Sequence, residues 1–337
     1  MVSGSSPLCR WSIIVLSSWS FERSPRGRGI VTGDEHEYRS GVVAVVGRPN
    51  VGKSSLINGL LRCKASIVSP KPQTTRNTIR CILDVENGQI VFTDTPGIHK
   101  PQHKLGEALV EAALDTLNDA DAILYVISAE DEGITAPDRH VVAQLVRAET
   151  PVILAVNKVD LLGAKRARLL PLIEVYRRAL NPQDVFPVSA REGTNLDVLV
   201  EAIMSHLPSG PPLYVDGILI DRSSRFLAAE VIREQVLLRT AQEVPHSVAV
   251  EVLEYKTPEE YPDRKDTYIS AVIFVERRGQ KLILLGSRGQ MIKEIGTAAR
   301  QALEDFLGGK VYLDLWVKVR KDWRNSDSEL RRFGYRE

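Results

Sequence analysis

The run Gly47-Arg48-Pro49-Asn50-Val51-Gly52-Lys53-Ser54 constrains this chain more than any other stretch. It follows the apolar segment Val42-Val43-Ala44-Val45-Val46, which reads as a buried strand. Residues 55–61 come next and read as a helix with one apolar face. Strand, glycine loop and helix in this order form the context that a G-x-x-x-x-G-K-[ST] spacing needs. The glycines let the backbone close on an anion with its N–H groups inward, and the helix start adds its positive dipole end. In such a loop Lys53 reaches the terminal phosphates of a nucleotide, and the Ser54 hydroxyl is placed to ligate Mg²⁺.

Three further motifs follow at matching intervals. Residues 69–78 carry two prolines and several hydroxyls, and so read as an exposed loop. Its position makes Gln73, Thr74, Thr75, Arg76 and Asn77 a switch loop, with Thr75 ahead of Thr74 as the hydroxyl that meets Mg²⁺ and the γ-phosphate. Two strands, 78–86 and 89–93, turn at Asn87-Gly88. They lead to Asp94-Thr95-Pro96-Gly97-Ile98, a second switch. There Asp94 would hold Mg²⁺ through a water, and the Gly97 N–H would swing onto the γ-phosphate. Another strand, 151–156, ends in Asn157-Lys158-Val159-Asp160. The Asp160 carboxylate can accept from both N1–H and the 2-amino group of guanine. Adenine offers no such pair, and an unpaired carboxylate would reject it. The Lys158 stem can lie over the base, and Asn157 can tie this loop to the first one. After Ser189, the Ala190 N–H is a candidate donor to guanine O6, and Thr194 or Asn195 a candidate cap for the helix that follows. Strands alternating with helices imply a mostly parallel sheet, with ligand loops at the strand C-termini.

The 337 residues suffice for two cores, and a net charge of +1 argues neither for nor against a nucleic-acid partner. Cys9, Cys63 and Cys81 are few and lack metal or disulfide spacing, which fits a reducing cytosol. Residues 1–40 differ from the rest: Arg- and Ser-rich, with an apolar run at 11–16 too short to span a membrane. They are expected to be a non-native or disordered extension, with the true start at Val31 and a short polar lead-in over 32–40 to the first strand; a transit peptide is the alternative. The expected organisation is a nucleotide-binding unit over 41–208, a Pro/Gly/Ser linker over 209–220, and a second unit over 221–337 with a basic tail.

In that second unit, helix 226–240, strands 246–255 and 267–277, a short apolar segment 282–285, Gly286-Ser287-Arg288-Gly289, helix 290–307 and strand 311–317 follow the order of a KH module. A G-x-x-G loop there clamps a single-stranded nucleic-acid backbone, with Arg288 and Lys293 supplying charge. Trp316 and Trp323 are candidates for base stacking, although core packing is the default for Trp316.

These pieces together resemble the Era family of bacterial GTPases, from about Gly41 to the C-terminus. The resemblance rests on 47–54, Lys-Pro-Gln-Thr-Thr-Arg at 71–76, Asp-Thr-Pro-Gly-Ile at 94–98 and Asn-Lys-Val-Asp at 157–160. Asp-Arg-Ser-Ser-Arg-Phe at 221–226 and the G-x-x-G helix complete it. Ser55 stands where the family often has Thr, and residues 1–40 have no family counterpart.

The resemblance implies an α/β P-loop GTPase domain, mostly parallel sheet with helices on both faces, followed by an α+β type II KH domain. It implies Mg²⁺ with GTP, slow turnover, and a monomer that binds the 3′ end of 16S rRNA during assembly of the 30S subunit. It also implies a cytoplasmic protein peripherally associated with the cell membrane, although no lipid anchor or basic amphipathic helix is legible here. Ile98 follows Gly97 where Ras-type enzymes place a water-orienting Gln, so hydrolysis must use another arrangement. Asn50 stands where potassium-activated relatives place a K⁺ ligand. Competing readings are a P-loop ATPase or kinase, a tRNA-modifying GTPase, and an RNA-binding module with a merely structural nucleotide site.

Overall fold

A computed structural model describes residues 37–241 and 244–336. The expected extension over 1–40 therefore lies outside the described residues except at its last four positions. Of these, Arg39 and Ser40 are not a lead-in but the start of strand β1 (Arg39–Val46). Arg39 pairs with Gly88, and its guanidinium donates to Ser205 O and Leu207 O at 3.0 and 2.9 Å.

The first unit is a six-stranded sheet in the order β2-β3-β1-β4-β5-β6. Besides β1 it contains β2 (Ile79–Val85), β3 (Gly88–Asp94), β4 (Ala122–Ser128), β5 (Val152–Asn157) and β6 (Asp184–Pro187), with only β2 antiparallel. Helices α1 (Lys53–Leu60) and α5 (Leu196–His206) cover one face. Helices α2 (Lys104–Asn118), α3 (Ala136–Leu145) and α4 (Leu169–Leu180) cover the other. Burial from both sides is why β4 and β5 read as unbroken apolar runs rather than alternating ones. The segment ahead of α4 is a 3₁₀ turn over 163–168, begun at a left-handed Gly163. Neither expected cap serves α5, because the Asn195 side chain donates back to Pro187 O at 2.7 Å.

The expected linker is held along the sheet edge. Gln89, fully buried in β3, accepts from the N–H groups of Leu213 and Tyr214 at 2.8 Å and donates to Tyr214 O at 2.9 Å. Ile218 then packs on Ile82 and Val91.

The second unit opens with α6 (Ser224–Arg239), followed by β7 (Ala249–Lys256), β8 (Thr267–Val275), α7 (Arg278–Leu285), α8 (Gln290–Leu307) and β9 (Val311–Val319). Its sheet runs β7-β8-β9, with β9 parallel to β8. The expected basic tail is a folded element, α9 (Asp327–Arg332), preceded by a 3₁₀ turn at Trp323–Asn325.

The two tryptophans exchange their expected roles. Trp316 is 58% exposed, because β9 is an edge strand whose Val317 faces the helices while its neighbour points the other way. Trp323 is fully buried and donates its indole N–H to Ser247 O at 2.9 Å. It joins Leu330, Ala249, Val272 and Phe274 to Leu105 and Leu109 of α2, so a shared core fastens the two units together.

Candidate nucleotide site and nucleic-acid loop

The ends of β1, β3 and β5 bring the sequence motifs into one cleft. The first loop needs Gly52 for two reasons: its φ is 96°, and an added Cβ would lie 2.5 Å from Asn157 Nδ2. Ser54 Oγ lies 2.8 Å from Thr75 Oγ1 and donates to Asp94 Oδ2 at 2.8 Å, while Thr75 Oγ1 is 3.4 Å from the same oxygen. Thr74 is not part of this cluster; its hydroxyl bonds to Ser69 Oγ and Lys71 O at 2.6 Å. Asp94 is fully buried, yet its Oδ1 has no hydrogen-bond partner. Burial pushes its carboxyl pKa up, against the pull of Ser54 and Lys53. Two hydroxyls and a half-satisfied buried carboxylate make a hard oxygen donor set that fits Mg²⁺.

The loop 67–75 lies close over this cradle, and with Pro49, Asn50, Lys53 and Gly97 it lines a small, half-open cleft of about 60 Å³. Val51 is fully buried behind it. The Arg48 side chain does not join the phosphate-binding group. It turns to Asp131 at 2.6 Å and Asp138 at 3.4 Å, leaving only its backbone to the loop. Within the second switch, Thr95 donates to Val45 O at 2.6 Å, while Pro96 and Ile98 are buried.

Lys53 donates to Gly47 O at 3.0 Å and Arg48 O at 3.2 Å. Burial lowers its pKa to about 8, with Asp94 opposing and Arg48 adding to the fall. A bound polyphosphate would restore the proton. Nucleotide affinity is therefore expected to be flat below pH 8 and to weaken by up to about tenfold per unit above it, with proton uptake on binding. Calorimetric titration of GDP between pH 7 and 9.5, in buffers of different ionisation enthalpy, checks this. A flat profile without proton uptake would show that Lys53 is already charged in the free protein and that its pKa is not lowered.

On the base side, Asn157 is buried and central. Its Oδ1 accepts from Lys158 N at 2.8 Å and Ala190 N at 3.0 Å, and its Nδ2 donates to Val51 O at 3.0 Å. The Ala190 N–H, expected to face guanine O6, thus lies against Asn157 here. Asp160 Oδ1 accepts from Ser189 Oγ at 2.6 Å, a bond that orients the carboxylate. Lys158 has left-handed backbone (φ 68°) and its ammonium sits 3.3 Å from Glu130; Val159 N–H donates to Val188 O at 3.2 Å.

Arg76 and Asn77 of the switch loop leave the nucleotide cleft. Arg76, 2% exposed, donates to the carbonyls of Val248, Pro245 and His246 in the second unit. Its guanidinium lies 5.9 Å from the rings of Trp323 and Tyr335. Arg233 of α6 reaches the Thr74 carbonyl, and Asn77 donates to Gly334 O at 3.4 Å. A motif matched for its threonine hid a domain contact in the next residue.

At the far end of the second unit, Gly286 and Gly289 take φ of 67° and 79°, and Arg288 joins them at 50°. Ser287, Arg288 and Lys293 are exposed. Leu282 and Ile283 of α7 stand exposed beside this loop at 62% and 51%. Sequence reasoning passed over them, although one face of so short a helix, here Leu284, suffices for the core.

Comparison with known proteins gives the same division. Residues 42–158 match the family model described as 50S ribosome-binding GTPase, and residues 243–324 match that of the KH domain. GTPase Era of Caldanaerobacter subterraneus subsp. tengcongensis is 49% identical over 298 residues, 88% of this chain and 98% of the relative. GTPase Era of Carboxydothermus hydrogenoformans is 47% identical over 300 residues, 89% and 99% of the two chains. Among solved structures, Era in complex with MgGDPNP and nucleotides 1506–1542 of 16S ribosomal RNA superposes with a TM-score of 0.84 at 43% identity, covering 89% of this chain and all of the other. A variant of Aquifex aeolicus Era bound to GDP·AlF₄⁻ matches with the same score and coverage at 42% identity. With both units matched in order and 47–49% identity along nearly the full length of these relatives, the chain belongs to the Era family of GTPases.

Proposed function

We propose that this protein is a GTP-driven switch that binds 16S rRNA near its 3′ end and acts in assembly of the 30S ribosomal subunit. The observation that carries the proposal is a one-residue step. Thr75 stands in the Ser54–Asp94 cluster, and Arg76 stands inside the KH unit. A ligand that orders Thr75 therefore acts on the mounting of the KH unit.

In this reading residues 41–208 hold the nucleotide, 209–220 connect and 221–337 hold RNA. The backbone of 47–54 with Lys53 receives the phosphates. Asn157, Lys158 and Asp160 receive guanine, with Ser189 and Ala190 setting their geometry. Ser54, Thr75 and Asp94, the last through a water, would hold Mg²⁺, which neutralises charge on the β- and γ-phosphates. A potassium ion at Asn50 is a further part of the proposal. Its side-chain amide nitrogen donates to Pro70 O at 3.4 Å, which sets Asn50 against the switch loop; its role as a K⁺ ligand rests on the family resemblance. Equal hydrolysis rates in sodium and potassium buffers would remove it.

Gly286, Ser287, Arg288, Gly289 and Lys293 receive the RNA backbone. The proposed working form is a cytoplasmic monomer. No helix among the described residues is long and apolar enough to cross a membrane, and peripheral membrane association rests on family likeness alone.

RNA crosslinking and sequencing on the GTP-loaded protein tests the proposal, beside a Ser287→Asp/Arg288→Asp double variant that sets negative charge where phosphate approaches. Enrichment of the 16S 3′ end, reduced at least tenfold in the variant, is the expected result. Enrichment of another RNA, or no effect of the substitutions, would leave a GTPase whose partner is misassigned.

A further inference from the structure

The residue after Gly97 takes no part in orienting water: Ile98 is fully buried and packs with Ala44, Val46, Val110 and Ala113. A different contact joins the two switch loops. The Gln73 side-chain amide nitrogen lies 2.8 Å from His99 Nε2, and His99 Nδ1 lies 2.8 Å from Gly97 O. A carbonyl oxygen can only accept, so Nδ1 carries the proton. Nε2 then presents a lone pair, which accepts from the Gln73 amide. The chain of bonds continues into the first loop. The Ile98 N–H donates to Gly47 O at 3.2 Å, so the Gly97–Ile98 peptide is held at both ends. Gly97 lies so close to Pro49 that an added Cβ would come within 2.6 Å of its nitrogen. Gln73 holds its side of the contact with a left-handed backbone (φ 60°), uncommon for a residue of its type. It also lines the cavity over Lys53, Ser54 and Thr75.

We infer that Gln73 and His99 are positioning residues for GTP hydrolysis, a latch that locks the two switch loops to each other and to the P-loop around the γ-phosphate. The inference rests on the GTP-hydrolysing reading of this site. The latch fixes the peptide whose neighbouring N–H, that of Gly97, is assigned to the γ-phosphate. It thereby supplies in part the preorganisation that a side chain after Gly97 gives elsewhere. Ground-state binding rests mainly on the P-loop backbone, Lys53 and Asp160, so the latch governs turnover more than affinity.

Single-turnover hydrolysis and fluorescent-nucleotide affinity are measured on five variants. Gln73→Ala and His99→Ala are each expected to slow hydrolysis about tenfold, with GTP affinity within threefold of the parent. Their combination is expected to be no slower than His99→Ala alone, because His99→Ala already removes the Gln73 bond along with the bond to Gly97 O. Two isosteres separate the ring nitrogens. His99→Gln puts an amide oxygen near the Nε2 position but gives up the bond to Gly97 O, and is expected to recover part of the loss seen in His99→Ala. His99→Asn mimics only the Nδ1 donor and is expected to fall with Gln73→Ala. Parent-like hydrolysis in Gln73→Ala, multiplicative losses in the double variant, or retention by His99→Asn with loss in His99→Gln would overturn the latch alone. A parent protein that binds GTP without hydrolysing it would overturn the hydrolytic reading, and the latch with it.

Discussion

An Asp160→Asn variant is expected to lose GTP and gain xanthosine triphosphate. The carboxylate accepts from two donors of guanine, N1–H and the 2-amino group, and Ser189 Oγ at 2.6 Å holds it in orientation. Asn keeps one acceptor and replaces the other with an NH₂ that meets the 2-amino group donor to donor. Each hydrogen bond to a charged group is worth about 1.5–3 kcal/mol, so turning the bond to the 2-amino group into a donor–donor clash, and leaving the N1–H bond to a neutral acceptor, lowers affinity roughly a thousandfold. Xanthine carries a carbonyl at position 2, and the Asn amide then matches it on both atoms. The P-loop, Lys53 and the Ser54–Thr75–Asp94 cluster are untouched, so hydrolysis of the new nucleotide is expected near the parental rate. Competition titrations of GTP, ATP and xanthosine triphosphate against a fluorescent nucleotide check this. A variant that keeps GTP within tenfold and gains nothing for xanthine would sink the assignment of Asp160 to the base.

The same comparison of donors and acceptors explains which parts of this chain were legible beforehand. Glycine loops, the Asn87-Gly88 hairpin and the apolar strands carry their structural reasons within a few residues, and β2, β3 and α8 fall within about a residue of expectation. The order of nucleotide motifs placed Ser54, Thr75 and Asp94 together because each chemistry demands a residue type at a fixed place: the first turn of α1, the switch loop and the end of β3. Partners distant in sequence carry no such local sign. Nothing around Gln89 announces that its amide will anchor the 213–214 backbone. The charged residues of 318–324 suggested a solvated tail, whereas Trp323 and Leu330 fill the core between the units and Arg324 pairs with buried Glu276. Trp316 failed for a related reason. Alternation along β9 gives its two faces, but whether anything covers the outer face depends on how far α2 and α9 extend over the sheet. The Arg48 side chain and the Ala190 N–H turn instead to Asp131 with Asp138 and to Asn157, partners that a single stretch of sequence does not bring together.

Arg76→Ala is expected to uncouple the RNA-binding unit from the nucleotide while leaving nucleotide binding intact. The guanidinium is buried, bonds to three carbonyls between Pro245 and Val248, and lies against Trp323 and Tyr335. Burial opposes its charge, so the carbonyls and rings are what make the position tolerable. Truncation leaves those carbonyls unpaired in a closed interface, at a cost of about 3 kcal/mol to docking of the two units. Arg76→Lys is expected to recover little, since an ammonium has neither the fork to bond divergent carbonyls nor the plane to stack. GDP and GTP affinities are expected to stay within threefold of the parent, because the side chain points away from the phosphate cradle. The ratio of RNA affinities in the GTP- and GDP-loaded states is expected to fall below two, and thermal unfolding to split into separate transitions for the two units. Filter binding of a 16S 3′-end fragment in each nucleotide state, with calorimetric unfolding beside it, measures both. Should Arg76→Ala keep the parental difference between nucleotide states, the coupling must run through Arg233 and the Thr74 carbonyl instead, and the step from Thr75 to Arg76 would lose its role as the transmission.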